Sequence, residues 1–258
     1  MGRLDGQVAL ITGGGGGIAR GMIAALAKEG AEISVAEIRA ERGEAAAKIA
    51  REHGVRAVAI VCDVRYRDQV DAAVSQTVEQ LGRIDILINN ATGVGRDSTN
   101  LPLMEHTEAA LDRILAVDVK GTFHFMQACF PHFKEQGRGK IINFASAAGS
   151  ERMAGFAAYS TAKEGVRALS GVAAREWGGF GINVNVVCPS ALTPELREYL
   201  ESRRDQATLD RMTSDKPIHR AGDPEHDIGP VVVFLASDDA GYMTGHTFWV
   251  DGGSSIHA

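Results

Sequence analysis

Short runs of β-branched and aliphatic residues alternate with longer stretches of helical periodicity along almost the whole chain, and this alternation constrains the fold most strongly. It is the mark of βαβ units, because neighbouring parallel strands need a crossover, normally a helix. Strands are predicted over Val8 to Ile11, Ile33 to Ala36, Ala57 to Val61, Ile84 to Ile88, Lys140 to Phe144, Ile182 to Val187 and Thr247 to Val250. Most are continuous apolar runs, as expected for a sheet covered on both faces. Helices are predicted at about residues 17 to 29, 40 to 53, 67 to 81, 107 to 136, 156 to 177 and 224 to 236. The expected fold class is α/β: a doubly wound, seven-stranded parallel sheet flanked by helices on both faces.

No repeat or linker divides the 258 residues, so 1–258 is read as one domain. The irregular part is an excursion from Ser190 to Gly222, polar and charge-rich, with helical potential in Pro194 to Met212. A long excursion after a buried strand is commonly a lid or a binding loop.

With 33 acidic against 27 basic side chains the net charge is −6, and no extended basic run exists, so nucleic acid is not an expected partner. The longest nearly unbroken apolar stretch, Val231 to Ala236, falls far short of the roughly 20 residues that span a membrane. Arg3-Leu4-Asp5 leads into a strand pattern rather than the apolar segment of a signal peptide. Cys62, Cys129 and Cys188 form no CxxC and no histidine pairing, which fits core thiols in a reducing compartment. The expectation is a cytoplasmic protein with no membrane partner. Eight histidines without HExxH or paired spacing give no metal site.

The first predicted strand runs through Thr12-Gly13-Gly14-Gly15-Gly16-Gly17-Ile18-Ala19 into a helix. Glycines in such a turn let backbone amides approach a pyrophosphate, and the helix N-terminus adds a favourable field for the anion. Gly13, Gly16, Gly17 and Ile18 are the candidate contacts, although glycine turns also occur without ligands. Glu37 ends the second strand, 24 residues after Gly13, where a carboxylate can accept both ribose hydroxyls of an adenosine. An exposed acid at a strand end needs no ligand, but the two features together favour a dinucleotide. They favour NAD over NADP, since Glu37 would face a 2′-phosphate; Ile38 after it is not basic, and only Arg39 argues the other way.

Tyr159 and Lys163 stand at i and i+4 of a helical pattern, hence on one face. A tyrosine with its ordinary pKa of about 10 is a poor base at neutral pH, whereas an adjacent ammonium favours the phenolate. The pair is equipped to exchange a proton with an alcohol or ketone, although the spacing alone is common by chance. Ser146, 13 residues before Tyr159 and just past the fifth strand, is placed to hydrogen-bond the same substrate oxygen.

Taken together, the chain resembles the short-chain dehydrogenase/reductase family over nearly its whole length. The matches are TGGGGGIA at 12 to 19 for the family's TGxxxGIG, Asp63-Val64 for its adenine-contacting acidic pair, and Asn89-Asn90-Ala91 for its NNAG. They continue with Ser146, the Tyr159/Lys163 pair, Pro189 and Thr193 for the PGxxxT turn, Phe234 to Asp238, Thr244-Gly245, and Val250-Asp251-Gly252-Gly253. The resemblance implies a Rossmann-type sheet, a nicotinamide cofactor, reversible hydride transfer between a secondary alcohol and its ketone, and a homotetramer. It assigns Tyr159 as acid/base, Lys163 to the nicotinamide ribose and to favouring the phenolate, and Ser146 to orienting the substrate. It places Asp63, Val64, Asn90, Ala91, Pro189 and Thr193 around the cofactor. Phe248-Trp249 and the long helices at 107 to 136 and 156 to 177 offer interface material.

Four departures stand out. Ala19 replaces the third glycine of the turn, adding one methyl; Thr92 replaces the glycine of NNAG; and Ser190 replaces the glycine of the PG turn, which is also one residue short before Thr193-Pro194. Asp118 stands where the family's fourth catalytic residue is usually asparagine, which there helps to hold a water beside the active-site lysine. Ionised and near Lys163, Asp118 would offset part of the ammonium's field; protonated, it would donate much as the amide does; turned into a water-filled pocket, it would affect neither. Met153, Phe156, Leu192, Leu196, Tyr199 and Leu200 are candidates for an apolar substrate wall or for packing under the excursion. Arg152 and Arg197 are read as surface arginines before anion contacts. Two rivals remain beside an NAD-dependent oxidoreductase: a low-activity nucleotide-sensing protein on the same fold, and a methyltransferase, which would leave Tyr159 and Lys163 idle.

Overall fold

The computed structural model describes residues 2–95, 97–202 and 204–256. Its seven strands, β1 Val8–Thr12, β2 Glu32–Glu37, β3 Ala57–Val61, β4 Ile86–Asn89, β5 Gly139–Phe144, β6 Ile182–Pro189 and β7 Thr247–Val250, form one sheet in the order β3-β2-β1-β4-β5-β6-β7. Every adjacent pair is parallel. The helices are α1 Gly17–Lys28, α2 Ala40–Glu52, α3 Arg67–Leu81, α4 Glu108–Ile114, α5 Gly121–Gln136, α6 Ala147–Ser150, α7 Ala157–Trp177, α8 Pro194–Ser202, α9 Gln206–Thr213 and α10 Gly229–Ala236.

Successive side chains of a strand point to opposite faces, so each central strand feeds two cores. Ala9 and Ile11 of β1 and Ile86 and Ile88 of β4 pack with Met22, Ile23 and Leu26 of α1, the alanines of α2 and Val232, Val233 and Leu235 of α10. Leu10 and Leu87 face the other way, against α3, Phe125, Met126 and Phe133 of α5, and Ala173 and Ala174 of α7. Burying each of Phe125 and Phe133, both fully inaccessible, contributes roughly 2–3 kcal/mol. Cys62 and Cys129 are buried free thiols in the second of these cores, and Cys188 is a buried free thiol packed with Ala145 and Val186.

The fourth strand begins at Ile86, not Ile84. Asp85 interrupts the apolar run: its buried carboxylate accepts the Val8 amide at 3.0 Å and pairs with Arg83 and Arg138, tying the lower ends of β1 and β4 together. The helix expected over 107 to 136 is continuous but not uniform, because Leu115–Lys120 forms a π-turn between α4 and α5. Such widened turns recur at functional sites. Gly121, just after it, lets the helix pass Val64, whose Cγ2 lies 2.7 Å from where a Cβ would stand. The excursion after β6 folds into α8 and α9, apart from residue 203, which lies outside the described residues. No helix among the described residues is long and apolar enough to cross a membrane.

Candidate active site

Strand order reverses at β1 and β4, and an open α/β sheet binds ligands at the carboxyl ends of its strands there. The turn after β1 is held from both sides. Gly13 donates to Ala36 O at 2.8 Å, and Asn90 Nδ2 donates to the carbonyls of Thr12 and Gly13 at 3.2 and 3.0 Å. The amides of Asn90 and Ala91 both donate to Thr12 Oγ1 at 3.1 Å. Gly13 has φ +63°, and a Cβ there would stand 2.7 Å from the Ala91 Cα, so only glycine fits. Gly16, the N-cap of α1, offers no side-chain cap, and no acid sits in the first turn. The helix dipole and orphan amides therefore face the cleft.

That cleft encloses about 760 Å³ and is lined by Gly13, Gly16, Gly17, Ile18, Glu37, Asp63, Val64, Asn90, Ala91, Tyr159 and Thr193, among others. Glu37 is buried at one end, its carboxylate accepting the Gly15 amide at 3.0 Å and the Arg39 amide at 3.2 Å. A carboxylate has about four acceptor sites, so capacity for ribose hydroxyls remains. Arg42 donates to Gly15 O at 2.7 Å, bringing a second arginine besides Arg39 to this end. Asp63 is gripped by the Arg65 guanidinium at 2.6 and 3.0 Å, and these hydrogen bonds hold its carboxyl below the usual range.

Tyr159 stands at the other end of the cleft, on α7. Small residues at Ala158 and Ala162 let α7 pack on Ile114, with Leu111, Leu115, Val119 and Tyr159 around them. Lys163 lies one turn on, its Nζ 5.5 Å from the Tyr159 ring centroid and donating to Phe144 O at 3.1 Å. Asp118, projecting from the π-turn, meets Lys163 Nζ directly at 2.9 Å, both side chains almost inaccessible. Its other contacts are the Gly93 amide at 2.7 Å and the Thr92 hydroxyl at 2.9 Å. Asp118 is therefore bound to the lysine rather than turned into a water-filled pocket. Burial pushes the Lys163 ammonium down, but the Asp118 charge pushes it up and prevails, so its pKa ends above the ordinary lysine value.

Ser146 caps α6, its hydroxyl accepting the Ala148 amide at 3.2 Å, which leaves its proton to donate elsewhere. Ser160 Oγ donates to Ala148 O at 2.7 Å, so the short helix carrying Ser146 is fastened to the helix carrying Tyr159. Ser146, Lys163, Asp118 and Pro189 do not line the cleft. Lys163 and Asp118 are buried, and Pro189 ends β6 beside Val250.

Thr193 Oγ1 accepts the Leu196 amide at 3.2 Å and starts α8. Ser190, where the family has glycine, receives the buried Lys216 Nζ at 3.0 Å; burial lowers that lysine's pKa. Leu192 and Leu200 pack with Leu209 under the excursion, Leu196 also reaches the cleft, and Phe156 lies 6.5 Å from the Tyr159 ring. Met153 and Arg152 are exposed, and Arg197 reaches toward Glu201 at 3.8 Å.

Asn89 belongs to the NNAG match, but the residues that partner it, and others that position the site, escape a reading of motifs. Asn89 Nδ2 donates to Asn143 Oδ1 and Asn143 Nδ2 to Ser170 Oγ, each at 2.8 Å, a buried polar chain from β4 through β5 to α7. Beyond Asn89, which stands in the NNAG match, the visible signal was Asn143, a polar residue inside the apolar run Lys140 to Phe144. Arg113 grips Asp97 at 2.6 and 2.8 Å and Gly93 O at 3.1 Å, fixing the segment after β4; nothing in its sequence context marks it. Among the described residues no cluster of histidine, cysteine and carboxylate groups is arranged to hold a metal ion.

Residues 14–255 match the family model described as enoyl-(acyl carrier protein) reductase. The chain is 40% identical to a 12alpha-hydroxysteroid dehydrogenase from Clostridium sp., covering 98% of each chain. It is 34% identical to levodione reductase from Leifsonia aquatica, covering 98% of this chain and 96% of that one. In structure it is similar to NAD+-bound xylitol dehydrogenase, with TM-score 0.89 at 32% identity over 97% of this chain and 99% of that one. A crystal structure of levodione reductase gives TM-score 0.90 at 31% identity over 98% and 100% of the two chains. With glycine turn, sheet order and Tyr/Lys helix in one arrangement, and these likenesses spanning nearly its full length, the chain belongs to the short-chain dehydrogenase/reductase family of oxidoreductases.

Proposed function

We propose that this protein is an NAD-dependent oxidoreductase that interconverts a secondary alcohol and a ketone, with Tyr159 as the acid/base. The observation that carries this reading is that one cleft holds the glycine turn and Glu37 at one end and Tyr159, backed by Lys163, at the other. The residues present fit a dinucleotide. The uncapped N-terminus of α1 suits a pyrophosphate, and Glu37 keeps acceptor capacity for the adenosine ribose. Lys163 has three N–H donors, of which Asp118 and Phe144 take two, leaving one for a ribose hydroxyl. When bound, the nicotinamide ring accepts or supplies the hydride.

In oxidation, Tyr159 takes the hydroxyl proton of the alcohol; in reduction it returns a proton to the ketone oxygen. The Lys163 ammonium stands beside the ring, where it faces the negative charge that develops on the phenol oxygen as the proton moves, and Ser146 donates its free proton to the substrate oxygen. The Asp118 contact holds Lys163 charged, which supports turnover over the rival reading of a nucleotide sensor. Similarity to the hydroxysteroid dehydrogenase and to levodione reductase makes cyclic secondary alcohols, a hydroxysteroid first, the leading substrate class. We take the whole chain as one catalytic domain that works in the cytoplasm as a homotetramer. Exposed Phe123 on α5 and Val172 on α7 supply apolar surface for assembly on the two long helices.

The test is an NADH-fluorescence assay across a panel of secondary alcohols and ketones, with NAD and NADP in parallel. Turnover with NAD on at least one cyclic alcohol is expected. Tight NADH binding with no turnover on any member would favour the sensor.

A further inference from the structure

Two departures from the family pattern, Thr92 for glycine and Asp118 for asparagine, are hydrogen-bonded to each other: Thr92 Oγ1 lies 2.9 Å from Asp118 Oδ2. The same Oδ2 receives Lys163 Nζ at 2.9 Å, while Oδ1 accepts the Gly93 amide at 2.7 Å. Thr92 Oγ1 in turn accepts the Val94 amide at 3.2 Å, which leaves its single proton for the carboxylate. Every group around Asp118 is thus a donor, and an asparagine fits in neither orientation. With its oxygen toward Gly93, its NH₂ would face the Lys163 ammonium; reversed, its NH₂ would face the Gly93 amide. Glycine at 92 has no hydroxyl to give.

We infer that Thr92 is a positioning residue for the alcohol–ketone reaction: its hydroxyl competes with Lys163 for Asp118 Oδ2 and so sets how strongly the carboxylate opposes the ammonium beside Tyr159. This rests on the function proposed above. A hydrogen bond donated to a carboxylate draws charge off the accepting oxygen. With Thr92 in place the Asp118 field at the phenol is softened, and the site takes a proton from the alcohol at lower pH than an unassisted carboxylate would allow. The titratable groups facing this pair are Tyr159 and Lys163 on α7, the Cys188 thiol on β6, which burial pushes up to about 12, and Arg113 on α4, engaged by Asp97. The thiol is neutral and the arginine charged throughout the working range, so neither masks the effect.

Thr92 also joins this pair to the segment leading toward substrate. Its contact with Val94, a residue of the cleft wall, and the Asp118 bond to Gly93 hang that segment from the carboxylate that holds Lys163.

The experiment compares pH profiles of kcat/KM for alcohol oxidation with NAD in wild type, Thr92→Val, Thr92→Ser, Asp118→Asn and the Thr92→Val/Asp118→Asn pair. Thr92→Val moves the acid limb up by about half a pH unit, Thr92→Ser restores the wild-type profile, Asp118→Asn moves the limb down, and the double variant coincides with Asp118→Asn. Thr92→Gly, which installs the family's residue, serves in place of Thr92→Val if valine does not fold. Melting of the cofactor-free variants gives a readout independent of turnover, with Tm losses of the single variants that do not add in the double. An unmoved or lowered limb in Thr92→Val, additive shifts, or a serine variant that fails to restore the profile overturns the inference while leaving the enzyme reading intact. Wild type that turns over no alcohol overturns both.

Discussion

The Glu37 carboxylate accepts the Gly15 amide at 3.0 Å, so the acid that ends β2 and the glycine turn that follows β1 brace each other at one end of the cleft. A Cβ on Gly15 would stand 2.9 Å from that same Oε2. A 2′-phosphate brought to this end would meet a fixed, buried negative charge, at a cost on the order of 4 kcal/mol per unit charge at partial screening. NAD is expected to be preferred over NADP by at least about 100-fold in kcat/KM. Arg39 and Arg42 border the same end, so Glu37→Ala should narrow that ratio by at least about ten-fold. Equal efficiencies of the wild type with both cofactors would refute the assignment.

Tyr159→Phe removes the phenol proton and leaves the α1 N-terminus, Glu37 and Asn90 untouched. Turnover should fall by a factor of about 100 or more, with cofactor affinity kept within a few fold. A variant that retains a tenth of wild-type activity would show that another group is the acid.

Asp118→Asn leaves the Lys163 ammonium buried without its counter-charge. Removing one partner of a buried pair costs about 3 kcal/mol near neutral pH, or some 6–12 °C of Tm for a chain of this size. The sign with pH follows from the direction of the lysine's shift. Its folded pKa lies above the ordinary value, so the stability it contributes is fully present below the unfolded pKa of about 10.4 and is lost as pH rises through the folded value. The Tm gap between variant and wild type should therefore narrow in strongly alkaline buffer. A gap that is constant or widens from pH 7 to pH 11 would contradict the charged pair.

Gly13→Ala tests the turn. The residue has φ +63° and would drive a methyl to 2.7 Å from the Ala91 Cα, so the end of β4 must move. The expected loss is roughly 1–3 kcal/mol of stability from the strained backbone. NADH affinity should drop by more than ten-fold, since the turn and the α1 amides shift together. Unchanged melting and binding would show that the turn is not held as described.

For assembly, light scattering at micromolar concentration should give four times the 27.4 kDa chain mass. Closed symmetry is the usual outcome for such an oligomer. A monomer mass would exclude the tetramer, and Phe123→Lys together with Val172→Lys should dissociate it if α5 and α7 carry the interface.

The sequence by itself determined the sheet, the glycine turn, Glu37 and the Tyr159/Lys163 face. Strand periodicity, helix periodicity and an i, i+4 pair are local properties, settled by backbone sterics and the side-chain pattern within a few residues. The family resemblance supplied the roles proposed for Ser146, Asn90 and Asp63, because those positions match the family's motifs residue by residue. Local pattern also misled at Ile84, where apolar character suggested a strand but the buried charge of Asp85 is committed to Val8, Arg83 and Arg138.

What only the tertiary structure decided depends on groups far apart in the chain meeting in a medium of low dielectric. Thr92, Asp118 and Lys163 are spread over three segments, and nothing in their spacing distinguishes a carboxylate bound to the lysine from one turned to water. The π-turn at Leu115–Lys120 and the packing of α7 on Ile114 bring them to 2.9 Å. The Asn89–Asn143–Ser170 chain and the Arg113–Asp97 clasp arise in the same way. Buried polar groups must find partners, and which partners they find is set by how helices and strands dock, not by the residues on either side of them.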